Sequence, residues 1–324
     1  MSDRYARQMV LPEVGAEGQA RLGGATVLIV GAGGLGCAVL QYLAAAGVGR
    51  LMIVDHDRVE ESNLHRQPLY RMSDLGKPKV HAACAALQQM NPAVRVQAVE
   101  ARLSAANARH LVEQAGVVID AADSFAVTYV LSDACRDTGK SLVSASVLGL
   151  AGYVGVFCAG APSYRAVFPE MPRAAGSCAE CGVLGTAVGV MGTLQAHLAL
   201  ALLLKWEPTV AGRLISVDFR TLHLGGFSFA AAREPDGAPV SFIAPSDVCA
   251  ADIVIDLRSL AETPVSPFPA ALRIGVEDLE KAGAQFPAEP RIVLCCRTGV
   301  RAWRAARALQ RQGHSNVALL AMGE

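Results

Sequence analysis

The chain has 324 residues, 52% of them hydrophobic, enough to build the cores of two packed domains. Its 29 basic and 29 acidic side chains cancel, so it lacks the electrostatic footprint of a nucleic-acid-binding protein, and no nucleic-acid partner is expected. Nine cysteines, an odd number behind a polar start with no signal peptide, argue against a disulfide framework. A reducing, cytoplasmic setting is expected, with thiols that are buried or chemical.

Residues 4–8, R-Y-A-R-Q, read from charge alone as a solvated arm. Residues 26–30, TVLIV, are short, β-branched and apolar, the pattern of a buried parallel strand. Gly31, Gly33 and Gly36, with Gly34 among them, form G-x-G-x-x-G and open a helix that meets a stop signal at Gly47. A second strand over 51–54 ends in Asp55, about 20 residues beyond the last glycine, as a βαβ nucleotide site requires. Glycines let backbone approach phosphates, the helix N-terminus favours their charge, and Asp55 can accept from ribose hydroxyls. Alone, this unit points to NAD or FAD.

The next segment changes that reading. Residues 57–67, D-R-V-E-E-S-N-L-H-R-Q, bring Asp57, Asn63, Arg66 and Gln67 just past the strand's C-terminal end, where open α/β sheets hold ligands. G-K-P-K at 76–79 then sets Lys79 at the start of a helix. An arginine and a lysine converging on one nucleotide suit a triphosphate being cleaved, and an NAD-dependent oxidoreductase leaves both unexplained. The combination G-A-G-G-L-G, D-x-D-x-V-E-x-S-N-L-x-R-Q and G-x-P-K resembles the HesA/MoeB/ThiF adenylyltransferases, bacterial relatives of ubiquitin-activating enzymes, from about residue 4 to about 225. The resemblance implies a Rossmann-like doubly wound α/β sheet, ATP with Mg²⁺, and a homodimer. It also makes R-Y-x-R-Q a family signature whose Arg7 reaches the ATP of the neighbouring subunit.

Helical patterns over 79–90 and 105–114 alternate with strands over 94–99 and 117–120. Asp123 follows the last of these, on the rim of the glycine loop. A carboxylate there suits Mg²⁺ between phosphates or an N-cap for the next helix, and the resemblance makes it the Mg²⁺-binding aspartate. The family's D-N-x-x-x-R-x-x-x-N departs here to Asp123-Ser124 with Thr128 and Ser132, which puts the geometry around the metal in question.

Strands are expected over 141–147 and 153–158. S-Y-R-A at 163–166 stands where many members carry the first C-x-x-C of a structural zinc site, and no second pair follows near 220–229, so no zinc is expected. Cys178 and Cys181 form a single C-x-x-C, readable as a redox or metal pair or as two packed thiols. By resemblance, Cys178 is the cysteine that receives the activated acyl group or joins a transient disulfide, with Cys181 a resolving thiol or without a role. The apolar run 183–204 approaches membrane-spanning length, but Thr186, Thr193, Gln195 and His197 interrupt it. It reads as a core or subunit-interface helix, with no membrane expected.

Apolar periodicity stops over 232–245, which divides the chain into a domain at 1–231, a linker at 232–246 and a second domain at 247–324. That domain starts with a strand at 253–256, then a helix at 276–282. A strand at 291–294 enters C-C-R-T-G-V-R (295–301), followed by a helix at 302–311 and a strand at 316–320. A cysteine between strand and helix, with backbone N–H groups around it and Arg297 and Arg301 nearby, suits an anionic thiolate. From Cys296 the spacing C-x4-R resembles rhodanese-type sulfurtransferases. From Cys295, C-x5-R is the spacing of thiol phosphatases. A strand ending near 294–295 favours Cys296 as the exposed thiol, and I-D-x-R around Asp256 and Arg258 with Gly313 supports rhodanese. The domain is expected to be an abridged one: P-F-P-A-A at 267–271 stands where H-I-P-G-A is common in the family, and the family's usual closing helix is not expected after Gly323.

Joined, the two resemblances imply ATP-dependent adenylation of the C-terminal glycine of a small β-grasp sulfur-carrier protein with a Gly-Gly tail. Arg7, Arg66, Lys79 and Asp123 would serve that step. Sulfur transfer from Cys296 would follow, loaded by a persulfide donor such as a cysteine desulfurase, with Cys178 holding an intermediate. A carrier-binding adaptor without adenylation activity, or an enzyme of the same fold acting on modified tRNA, are the alternatives.

Overall fold

The computed structural model describes residues 3–172, 182–237, 239–282, 286–287 and 289–323. The chain opens with helices α1 (Ala6–Met9) and α2 (Gly15–Gly24), then runs β1 (Thr26–Val30), α3 (Gly34–Ala45), β2 (Arg50–Asp55), α4 (Lys79–Met90) and β3 (Arg95–Glu100). It continues through α5 (Ala105–Glu113), β4 (Val117–Asp120), α6 (Phe125–Thr138), β5 (Ser141–Leu148), β6 (Ala151–Phe157) and α7 (Tyr164–Val167). Helix α8 (Gly185–Leu204), β7 (Arg213–Asp218) and β8 (His223–Ser228) complete the first domain.

These strands form one eight-stranded sheet in the order β3-β2-β1-β4-β5-β6-β7-β8. Pairing is parallel from β3 to β5 and antiparallel from β5 to β8. The chain leaves β1 on one side and returns as β4 on the other, so the crevice at their C-terminal ends is the switch point where such sheets bind ligands. Strand β1 is buried from Val27 onward, which is why it reads as a continuous apolar run and not as an alternating one. Helix α8 meets the length and apolarity of a membrane span, yet just over half of it is buried in the structure. Val188, Met191, Ala196 and Ala199 join the core that includes Val39, Leu40 and Leu43 of α3.

The second domain comprises β9 (Ser241–Phe242), β10 (Ile253–Asp256), β11 (Leu272–Arg273), α9 (Val276–Ala282), β12 (Ile292–Cys296), α10 (Val300–Arg311) and β13 (Val317–Ala321). Its five-stranded sheet is parallel throughout, in the order β11-β10-β12-β13-β9. Strand β9 corrects the expected boundary: it lies inside the segment read as linker and pairs with β13, burying Phe242. Two paired residues are too few to register as periodicity. Strand β12 also runs past the expected end at 294–295 to include Cys296, and α10 begins at Val300, two residues before the expected start.

The domains share one hydrophobic cluster, in which Tyr129 and Tyr164 of the first pack with Phe242, Val300 and Trp303 of the second. The Tyr129 and Trp303 rings lie 5.3 Å apart, and Trp303 Nε1 donates to Glu170 Oε2 at 3.1 Å.

Candidate active site

The glycine loop lies at the switch point. Gly31 has φ +98°, and a Cβ there would stand 2.6 Å from Ala121 O, so only glycine lets the loop press against the exit of β4. Asp55 braces the loop: Ala32 N donates to its Oδ2 at 2.7 Å and Asp57 N to its Oδ1 at 2.8 Å. Tyr70, which sequence reasoning missed, donates its buried hydroxyl to Ala32 O at 2.6 Å. A tyrosine inside a polar loop carries no motif of its own, so no signal singles it out. Gln67 is almost fully buried, and its Oε1 has no hydrogen-bond partner. Its Nε2 lies 3.8 Å from where a Cβ of Gly33 would stand, close to Gly34 and Gly36 at the start of α3. An orphaned acceptor beside a phosphate-type loop fits a bound group that brings its own donors.

Lys79, at the first position of α4, is buried and donates Nζ to Asp57 Oδ2 at 2.8 Å. Burial pushes the half-exposed Asp57 carboxyl up, but the hydrogen bond and charge of Lys79 outweigh it and leave it below the usual carboxylate range. Asn63 is buried and accepts from Glu60 N at 3.2 Å, which shapes the loop that carries Arg66. Arg66 Nη1 donates to Ser62 O at 3.1 Å and lies 2.9 Å from His65 Nε2. Asp123 is exposed on the same rim, three residues beyond the end of β4. Asp55, His56 and Asp57 form a cluster of metal-ligand type, but both carboxylates already hold the contacts just described.

The departures from the family pattern have local partners. Thr128 Oγ1 donates to Asp120 Oδ2 at 2.7 Å, joined by Ser144 Oγ at 2.8 Å, while Ala122 N reaches Oδ1 at 3.3 Å. Asp120 is fully buried, and that burial lifts its carboxyl to about 6. Ser132 Oγ accepts from Tyr164 N at 3.1 Å. Gln195 of α8 donates to Asp120 O at 2.6 Å. The polar interruption of that apolar run thus serves to hold the end of β4. Ser163, where the resemblance expects a zinc-ligating cysteine, donates through N and Oγ to the two oxygens of Glu234, each at 2.6 Å. Arg165 forks onto Asp133 at 2.7 and 2.8 Å and stacks over Tyr129 at 4.8 Å and Trp303 at 5.5 Å.

In the second domain Cys296 ends β12 and accepts from Gly299 N at 3.2 Å and Ala302 N at 3.4 Å. These donors at the start of α10 suit a thiolate. The expected exposure is corrected: the Cys296 thiol is fully buried, because the strand continues through it and the loop closes over it. Cys295 points into a separate cluster with Val254 and Val293, and burial followed by the charge of Asp256 pushes its thiol up to about 12. Arg301 donates to Leu257 O at 3.1 Å and forks onto Glu262 at 2.9 and 2.5 Å. Arg258 likewise forks onto buried Asp256. Burial would raise that carboxyl, but the guanidinium overrides it and holds it at about 2.

Cys178 and Cys181 lie outside the described residues. Arg7 is exposed on α1, whose neighbour Tyr5 packs on Gly47 at the far end of α3, so it does not meet the glycine loop of its own chain. Helix α3, with 12 residues, keeps the two ends about 18 Å apart.

Fold and sites together define a two-domain enzyme of the ubiquitin-activating type, a switch-point nucleotide domain joined to a small thiol domain. Comparison with known proteins bears this out. Residues 5–238 match the ThiF family and residues 242–323 match the rhodanese-like domain, so the chain belongs to the ThiF family and carries a rhodanese-like domain. It is 48% identical to the sulfur carrier protein adenylyltransferase of Thermus thermophilus over 224 residues, covering 67% of this chain and 83% of that one. The SAMP-activating enzyme E1 of Haloferax volcanii is 44% identical over 218 residues, covering 67% and 81%. The adenylyltransferase and sulfurtransferase MOCS3 of Bos taurus is 48% identical over 229 residues, 68% of this chain but half the length of that protein. In fold the chain resembles E. coli MccB crystallised with ATP, with TM-score 0.61, 21% identity and coverage of 74% of each chain.

Proposed function

We propose that the protein adenylates the C-terminal glycine of a small β-grasp sulfur-carrier protein and then converts it to a thiocarboxylate. The observation that carries this reading is a single rim. Glycine loop, Asp55, Asp57, Lys79 and Asp123 all lie at the C-terminal ends of β1, β2 and β4, and the thiol loop of the second domain packs nearby against α6. Arg102, just past β3, touches that domain through Met322 O at 2.9 Å, and a Cβ at Gly299 would lie 3.4 Å from Ala126 Cβ.

The carrier's carboxylate attacks the α-phosphate of ATP, forming an acyl-adenylate and releasing pyrophosphate. Arg66 and Lys79 offset the charge that develops on the phosphates, and Gln67 Oε1 is free to accept from the nucleotide. Asp123 offers a hard carboxylate oxygen on the rim and would hold Mg²⁺, which supplies charge neutralisation between phosphates. Arg7 would act on the site of a second copy in a homodimer, a reading supported by its distance from its own glycine loop. In the second step, the outer sulfur of a Cys296 persulfide, supplied by a donor such as a cysteine desulfurase, attacks the acyl carbon and expels AMP. A thiol such as Cys178 then attacks the Cys296 sulfur, forming a disulfide and freeing the thiocarboxylate, and an external dithiol reopens that disulfide. No zinc is proposed, a reading supported by Ser163 and Ala166 standing where the family's first cysteine pair is expected, with Ser163 bonded to Glu234.

An adaptor that binds carrier without adenylating it draws its support from the altered Thr128 and Ser132. Both side chains are hydrogen-bonded within the domain, Thr128 to Asp120 and Ser132 to Tyr164 N, so the site is built around them. Carrier-dependent ATP–pyrophosphate exchange, with Asp123→Ala as control, tests the proposal. Exchange with one Gly-Gly carrier and its loss in the control is the expected result. Folded, ATP-binding protein that exchanges with no carrier would overturn it.

A further inference from the structure

One side chain just past β3 of the first sheet reaches the last residues of the second domain. Arg102 stands two residues beyond Glu100, which pairs in register with Asp55 across β2 and β3. Its Nη1 donates to Met322 O at 2.9 Å. Gly323, with φ +73°, lies beside the same guanidinium, so that a Cβ there would clash with it. Met322 N donates to Cys296 O at 2.9 Å and Gly323 N to Arg297 O at 2.8 Å, so the segment Arg102 grips, just past β13, is bonded to the backbone of the thiol loop. The residue just past β3 is thereby joined, through 322–323, to the backbone of the sulfur-bearing loop.

We propose that Arg102 is a positioning residue that registers the Cys296 loop against the adenylate, and so governs sulfur transfer without taking part in adenylation. The apolar contact around Trp303 and Tyr129 holds the domains together, but such burial is non-directional. A polar grip on 322–323 sets the thiol loop at a defined offset, and misplacing a reacting group by about 1 Å can cost about 10²-fold in rate. The inference rests on the adenylation and sulfur-transfer reading above.

The test uses the full chain with a Gly-Gly carrier, loading Cys296 with thiosulfate, which passes its outer sulfur to the thiolate and leaves as sulfite. Arg102→Ala is expected to lower single-turnover thiocarboxylate formation at least tenfold, with pyrophosphate exchange, the KM for ATP and the thermal midpoint nearly unchanged. Arg102→Lys, which keeps a donor for Met322 O, is expected to recover part of the rate. Equal thiocarboxylate rates in wild type and Arg102→Ala would overturn the positioning role alone, as would a fall that exchange matches. Absence of exchange in the wild type would overturn the adenylation reading and this inference with it.

Discussion

Lys79 Nζ donates to Asp57 Oδ2 at 2.8 Å, a buried ammonium held by a carboxylate that is itself half open to solvent. The pair aims the lysine along the rim, while the solvated carboxylate can release it toward a more strongly charged partner such as a triphosphate.

Lys79→Met should therefore preserve the fold, because the apolar stem remains and Asp57 stays hydrated. Pyrophosphate exchange should fall by roughly 10²–10³-fold, the usual loss on removing one group that stabilises developing charge. Initial-rate exchange with saturating carrier measures it, and a loss below tenfold would remove Lys79 from the chemistry.

Asp120 imposes a pH dependence. Burial lifts its carboxyl from the ordinary 3.8 to about 6. The stability contributed by the protonated form is complete below about 4 and is lost as pH rises through about 6. Thr128→Val removes one donor to the ionised form, which raises the folded value further and deepens the loss. The variant should lose about 2 kcal/mol at pH 8 and about 1 kcal/mol at pH 5, where the bond is between neutral groups. Urea unfolding at the two pH values provides the comparison, and a larger loss at pH 5 would contradict the sign.

Among the described residues Asp133 is the charged partner of the forked Arg165, which is almost fully buried between the domains. Asp133→Ala leaves that charge uncompensated and should cost about 3–5 kcal/mol. Because Arg165 stacks on both Tyr129 and Trp303, the change should also shift the emission of Trp303, one of two tryptophans in the chain. A midpoint unchanged in urea would show that the pair is solvated in solution.

The two adjacent thiols separate by substitution. Cys296→Ala should abolish sulfur transfer from thiosulfate to cyanide, since the N–H groups of Gly299 and Ala302 converge on that sulfur alone. Cys295→Ala should keep the transfer rate within about threefold and cost about 1 kcal/mol of packing. The reverse pattern would assign the loop to the thiol-phosphatase spacing.

Much of this was legible in the chain itself, because some residues carry their conformation or chemistry with them. The loop from Gly31 to Gly36 needs a positive φ and a close approach that glycine alone permits, and Lys79 falls at a helix start marked by Pro78. Thr26–Val30 and Val117–Asp120 read as buried strands because parallel strands covered on both faces are continuously apolar. These local rules suffice for the fold class, the nucleotide rim and the thiol loop. Contacts between segments far apart in sequence obey no such rule. Tyr70 on Ala32, Thr128 on Asp120, the pairing of β9 with β13, the burial of Cys296 and the grip of Arg102 on Met322 each depend on where the chain returns. Such contacts leave no periodicity behind, so the packing of the folded chain alone decided them.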